Sequence, residues 1–183
     1  MGKDTNVRKQ KNLEIEKMAV KTLQDAGLYS YPVDVFELSK RLGIDVYNAK
    51  FDNPAVSGMI RKEGGRKAIY FNREHHQNRT RFTVAHELGH AVLGHLDVTG
   101  ESEIADEYLD MFRRDDDYSN PDYRYEVEAN KFAAAILMPK EFVLQEWRSS
   151  GGNIEELARR FCVSEIAMGY RVDYIDAVIL GEE

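Results

Sequence analysis

The chain has 183 residues, 43% hydrophobic and 31% charged, the make-up of an ordinary soluble domain long enough for a real core. Its formal net charge of −7 argues against a nucleic-acid partner and would suit a basic protein partner better. A single cysteine, Cys162, excludes an internal disulfide and fits a reducing cytoplasm, while no apolar run approaches a membrane span and no secretory core opens the chain.

Residues 1–12 are polar and lysine-rich and read as a flexible tail ahead of a single domain over 13–183. Leu13 to Ala26 is an amphipathic helix closed by Gly27. Asp34-Val-Phe-Glu37 has the form of a capping box, and the short helix it opens ends at Leu42-Gly43. Ile44 to Ala49 alternates like a strand. Val56 to Lys62 and Arg66 to Phe71, joined by Glu63-Gly64-Gly65, form a hairpin. These three strands could present an edge to which an extended peptide adds as another strand. His75-His76 reads as a solvated pair, because adjacent histidines point different ways and nothing nearby completes a second site.

The most informative stretch is Arg81-Phe-Thr-Val-Ala-His-Glu-Leu-Gly-His90. Its His86-Glu-Leu-Gly-His90 is an H-E-x-x-H motif in a helical, largely apolar context. Residues four apart lie about one turn apart, so both imidazoles leave the same face and can clamp one Zn²⁺. Glu87 is offset by about 100°, where a carboxylate can act on water beside the metal without taking a coordination position. Gly94 reads as the helix stop and His95 as a loop residue. Arg81, before the motif, is expected to pair with an acidic neighbour.

A zinc hydrolase needs a third protein ligand and one open position. His95 follows His90 at the wrong spacing for the longer H-E-x-x-H-x-x-G-x-x-H pattern. Any of several carboxylates between Asp97 and Asp122 is a second option. Glu126 is the third, and the favoured one. It shares a helix face with Asn130, Ala133 and Leu137 in a segment that stops at Pro139. Asn130, one turn on, could accept a hydrogen bond from a ligand histidine. Glu128 lies about 200° around from Glu126, so the two cannot face one metal.

Residues 96–122 form an acidic insertion, solvated by default and a candidate lid. Ile104, Tyr108 and Phe112 recur at helical spacing within it, and Asp115-Asp-Asp117 to Pro121 reads as an exposed loop. Tyr118, Tyr123 and Tyr125 are candidate oxyanion donors. Residues 153–175 look like a helix-turn-helix: Asn153 caps the first helix, Cys162-Val163 is a tight turn, and Ser164 starts the second. Cys162 is expected to be a small core residue. With Glu165 and Asp173 offsetting Arg171, this second helix lacks the basic cluster that meets phosphates, so direct DNA binding is disfavoured.

The motif over Arg81 to His90, followed by Glu126-x-x-Ala-Asn130-x-Phe-Ala and Leu137-Met-Pro139, resembles the ImmA/IrrE family of bacterial and phage metallopeptidases. Gly58-Met-Ile and Ala68-Ile-Tyr-Phe-Asn72 match the family's run into the active helix, and the likeness spans residues 30–175. The gap from His90 to Glu126 is longer than the family's usual one, and acidic. The resemblance implies a zincin-like fold; with the helices and three strands read above, the expected fold is α+β, mostly helical, with a small three-stranded sheet beside the active helix. It also implies Zn²⁺, or Mn²⁺ in its place, held by His86, His90 and Glu126, with Glu87 as general base. The implied substrate is a helix-turn-helix repressor, cut inside the cell to release mobile-element or stress genes. The competing expectation is a non-catalytic antirepressor that sequesters the repressor by contact.

Overall fold

A computed structural model describes residues 2–100, 103–107 and 121–180. The chain forms two compact units, one of Asp34–Ala133 and one of Met1–Val33 with Ala134–Glu183.

The first unit opens with α2 (Val35–Arg41), set by Asp34, whose side chain accepts from the backbone N–H groups of Phe36 and Glu37 at 3.0 Å each. Val35 and Leu38 bury its inner face. Strands β1 (Asp45–Ala49), β2 (Val56–Glu63), β3 (Arg66–Asn72) and β4 (Glu103–Glu107) form one mixed sheet in the order β1-β3-β2-β4. β1 runs parallel to β3; β2 is antiparallel to both β3 and β4. Ile60 and Ile69 face each other across the hairpin, both fully buried.

The sheet therefore has four strands, not the expected three. Ile104 lies in β4, paired with Ile60, rather than in an amphipathic helix; Tyr108, Phe112, Tyr118 and the Asp115–Asp117 run lie outside the described residues. The difference has a physical cause. An edge strand is held largely by backbone pairing with one neighbour, and charged residues suit an edge because they discourage further pairing. Glu103-Ile-Ala-Asp-Glu107 thus carries little of the apolar alternation that marks a strand. Because β4 occupies the side of β2 away from β3, the outer strands of this sheet are β1 and β4.

Helix α3 (Gln77–Leu93) packs on β2 and β3 and buries Val84, Ala85, Leu88 and Ala91. His76 caps it, its Nδ1 accepting from Asn78 N–H at 3.3 Å, so one member of the His75-His76 pair has a structural use although exposed. Gly94 ends α3 in the left-handed region (φ 77°), as expected, but the chain re-enters a helix at once, α4 (His95–Thr99). Lys62 and Lys67 tie Asp97 of α4 back to the hairpin at 2.7 and 3.6 Å.

In the second unit, α1 (Gly2–Asp25) buries Ile15, Ala19 and Leu23, one turn apart. It is helical from Gly2, so it takes in the lysine-rich segment expected to be a flexible tail. Helix α5 (Pro121–Leu137) runs from the first unit into the second and ends before Pro139, followed by α6 (Lys140–Ser149), α7 (Ile154–Phe161), α8 (Glu165–Tyr174) and a π-helical turn (Ile175–Leu180). Asn153 and Ser164 cap α7 and α8 through Glu156 N–H and Ala167 N–H, the helix–turn–helix order read from the sequence. Cys162 is half-buried in the turn between them at φ 54°, not a core residue. Among the described residues, no helix is long and apolar enough to cross a membrane.

Arg171 of α8 is buried. Its Nε donates to Met138 O at 2.9 Å, and its guanidinium grips the Glu16 carboxylate, with Nη2–Oε2 at 3.0 Å. Removing one member of such a pair strands the other charge, whereas replacing both by apolar groups is far milder. Arg171→Met is expected to destabilise the fold by about 3–5 kcal/mol, and Glu16→Leu added to it should restore most of that loss in urea denaturation.

Candidate metal centre

The centre lies within residues 34–133, on α3, α4 and the first half of α5. His86 and His90 project from one face of α3, with their Nε2 atoms 3.0 Å apart. Glu126 of α5 comes down on them, Oε2 to His86 Nε2 at 3.1 Å and Oε1 to His90 Nε2 at 3.4 Å. These three form the only cluster of three or more potential metal ligands among the described residues. Asp97, a carboxylate of the rival stretch, is instead exposed, and its hydrogen bond to Lys62 and the charge of Lys67 lower its pKa.

His86 Nδ1 lies 2.8 Å from Asn130 Oδ1. An amide oxygen only accepts, so Nδ1 carries the proton and a neutral His86 presents a bare Nε2 lone pair toward His90 and Glu126. Glu126 Oε2 is buried and accepts no hydrogen bond among the described residues. Two imidazole lone pairs and a carboxylate converging in a buried place repel one another unless a cation lies between them. The spacings suit one. Tetrahedral zinc with bonds of about 2.0–2.1 Å has ligand–ligand edges of about 3.3 Å, against 3.0, 3.1 and 3.4 Å here.

Glu87 is fully buried beside β2. A Cβ on Gly58 would overlap Thr83 and stand 2.8 Å from Glu87 Oε1, so the glycine strand is what makes room for this carboxylate. His95, read from the sequence as a loop residue, is buried at the start of α4 with Nδ1 3.0 Å from His90 Nδ1. Its Nε2 stands 3.5 Å from Glu128 Oε2, and Tyr125 packs on its ring at 4.7 Å between centroids. Burial, the largest influence, pushes the His95 imidazole below its usual pKa despite Glu128. The signal that could have flagged His95 is a histidine directly after a left-handed glycine stop, because that turn folds the next side chain back on the helix end.

Of the tyrosines, Tyr125 has its ring on His95 and its hydroxyl 3.4 Å from Arg124 Nη2. Tyr123 is three residues before Glu126 on α5, hence on nearly the same face. Tyr118 lies outside the described residues. Arg81 is buried on α3, and Arg79 donates to Ser57 Oγ at 2.9 Å.

The family model described as Peptidase_M78, IrrE N-terminal-like domain, matches residues 39–173. The chain belongs to this family. Among curated proteins, none matches it significantly. A solved structure described as a Mycobacterium tuberculosis transcriptional regulator has a similar fold, with a TM-score of 0.61 and 20% identity over 86% of this chain. The chain spans 46% of the length of that regulator.

In this IrrE-like domain the separation of α3 from α5 is set at Gly89. A Cβ there would stand 3.0 Å from both Cα and O of Ala129 and 3.3 Å from its Cβ. Two of those three atoms are backbone and cannot move without moving α5, which carries Glu126. Gly89→Ala gains about 1 kcal/mol of helix propensity, but overpacking costs about 1–3 kcal/mol. The variant is expected to be less stable and to bind zinc more weakly in chelator competition. Ala129→Gly should not rescue it, because the backbone overlap remains.

Proposed function

We propose that the protein is a zinc-dependent endopeptidase in which His86, His90 and Glu126 hold the metal, Glu87 is the general base and Asn130 fixes His86. The observation that carries this reading is the convergence of two Nε2 atoms and one carboxylate at tetrahedral spacing. Membership of a peptidase family supports it. A zinc ion there supplies Lewis acidity, polarising the scissile carbonyl and making water a nucleophile near neutral pH. Manganese is the alternative ion.

The chain's own part follows from its residues. Glu87 takes the proton of the attacking water and passes it to the departing amine nitrogen, so one carboxylate serves both as base and as acid. Its burial excludes bulk water around the carboxylate, which strengthens its electrostatic effect. Asn130 holds His86 in the tautomer that leaves Nε2 free to ligate. Tyr123, on nearly the same face of α5 as Glu126, is the tyrosine we assign as donor to the developing oxyanion.

The substrate we propose is a helix-turn-helix transcriptional repressor, cleaved inside the cell to release mobile-element or stress genes. The family resemblance suggests it, and a net charge of −7 would attract a basic DNA-binding protein. Direct DNA binding by α7 and α8 is disfavoured, because Arg171 is spent on Glu16 in the interior. A sequestering antirepressor, the competing expectation, has no use for a buried carboxylate beside a metal.

Two variants test the reading. Glu87→Gln should keep its zinc yet cleave a repressor encoded next to its gene about 10²–10⁴-fold more slowly on a gel time course. Full cleavage by this variant would remove Glu87 from the role of base. Glu126→Ala should lose more zinc affinity than the about 10–100-fold typical of outer partners. Unchanged zinc content by atomic absorption would refute Glu126 as ligand.

A further inference from the structure

The second histidine of the motif has a support of its own, and it differs from that of the first. His86 leans on an amide oxygen of α5. His90 instead meets another imidazole, with His95 Nδ1 3.0 Å from its own Nδ1 and Glu128 Oε2 3.5 Å beyond at His95 Nε2. Three groups from three elements, α3, α4 and α5, thus stand in a row leading away from the metal cluster. All three are buried.

A contact between two imidazole nitrogens is bonding in only one sense at a time, because one must donate and the other accept. A carboxylate at His95 Nε2 favours the proton on that nitrogen. Nδ1 of a neutral His95 is then an acceptor, so the proton between the rings belongs to His90 Nδ1. Nε2 of His90 is left bare, facing His86 and Glu126. Resting on the metal-centre reading above, we propose that His95, oriented by Glu128, is the positioning residue of His90, fixing its tautomer and ring angle for metal binding. Neither is a ligand, since His95 meets the far side of His90 and Glu128 is turned to His95.

Sequence spacing alone made His95 a failed third ligand and Glu128 a helix charge pointing elsewhere. The fold makes both outcomes useful. The left-handed turn at Gly94 brings His95 back under His90, and the roughly 200° between Glu126 and Glu128 puts one carboxylate at the metal cluster and the other behind it. Tyr125 closes over the His95 ring and limits its swing.

The test uses the full chain, first free of metal and then titrated with zinc against a chelator. Nitrogen-15 NMR of the histidine rings in the metal-free protein should find His90 protonated on Nδ1 and His95 on Nε2. His95→Phe keeps the ring but removes the acceptor; it should mix the His90 tautomers and weaken zinc binding about 10–100-fold. His95→Asn places an oxygen close to where Nδ1 stood and should bind zinc within a few-fold of the unaltered chain. Glu128→Ala, with His95 intact, should fall between the two, and it carries the test if the Phe variant does not fold. His90 protonated on Nε2 in the unaltered metal-free chain, or a folded His95→Phe binding zinc as tightly as the unaltered chain, would overturn the proposal. Glu126→Ala in the same titration separates the two readings. If it binds zinc as well as the unaltered chain, the metal centre is misassigned, while the metal-free ring spectra still decide the role of His95.

Discussion

Everything at the centre depends on how close α5 can come to α3. At Gly89 the two helices approach to the point where one added carbon would meet the backbone of Ala129 at 3.0 Å. Glu126 lies three residues before Ala129 and Asn130 one after, so the depth of that contact fixes how far their side chains reach onto His86 and His90. The glycine inside H-E-L-G-H is therefore a spacing element, tolerated in mid-helix despite its cost of about 1 kcal/mol in propensity. A bulkier residue would leave every polar group of the motif in place on α3 and still open the cluster from the other side.

A second constraint is the expense of the buried groups themselves. His86, Glu87 and His90 on one short stretch of a buried helix are far from water, where an unsatisfied polar group costs about 1–3 kcal/mol. The fold meets that expense asymmetrically. The far nitrogens of both imidazoles have partners, Asn130 and His95, whereas the near nitrogens and Glu126 Oε2 face one another. Satisfied backs and converging fronts are what a cation site requires, because outer partners that fix the rings reduce the reorganisation needed on binding. A motif used only for packing would more naturally turn its polar atoms to separate partners.

Much of this was legible in the sequence, and the parts that were share a physical character. The hairpin showed in its alternation and Gly64-Gly65 turn, α2 in its Asp34 cap, α3 in its motif and Gly94 stop, and the Glu126–Asn130 pair in one-turn spacing. Each is a local rule, in which residues a few positions apart settle the conformation. What escaped was non-local. β4 is a strand because β2 offers it a partner some 45 residues earlier in the chain, and its charged residues fit an edge better than they announce a strand. His95 looked like loop because Gly94 does end a helix; that the chain turns straight into another is decided by packing and by the Asp97–Lys62 tie. The helix beginning at Gly2 was hidden for a similar reason, since polar lysine-rich residues have adequate helix propensity but no apolar stripe to declare it.

The division of labour on α5 follows from these constraints together. A helix presents a new direction every 100° or so, and this one uses two of them for different layers of one site. Glu126 and Asn130, a turn apart, face α3 directly, one on the near nitrogens and one on the far nitrogen of His86. Glu128 faces away from that line and would be an ordinary surface charge but for α4, which brings His95 between it and His90. The short α4 therefore converts a carboxylate on the wrong face into part of the support. The same geometry explains why a longer link between His90 and Glu126 is tolerable. Once α3, α4 and α5 are locked at Gly89, Gly94 and the His95–Glu128 contact, the length of chain joining α4 to α5 no longer sets the positions of His86, His90 and Glu126.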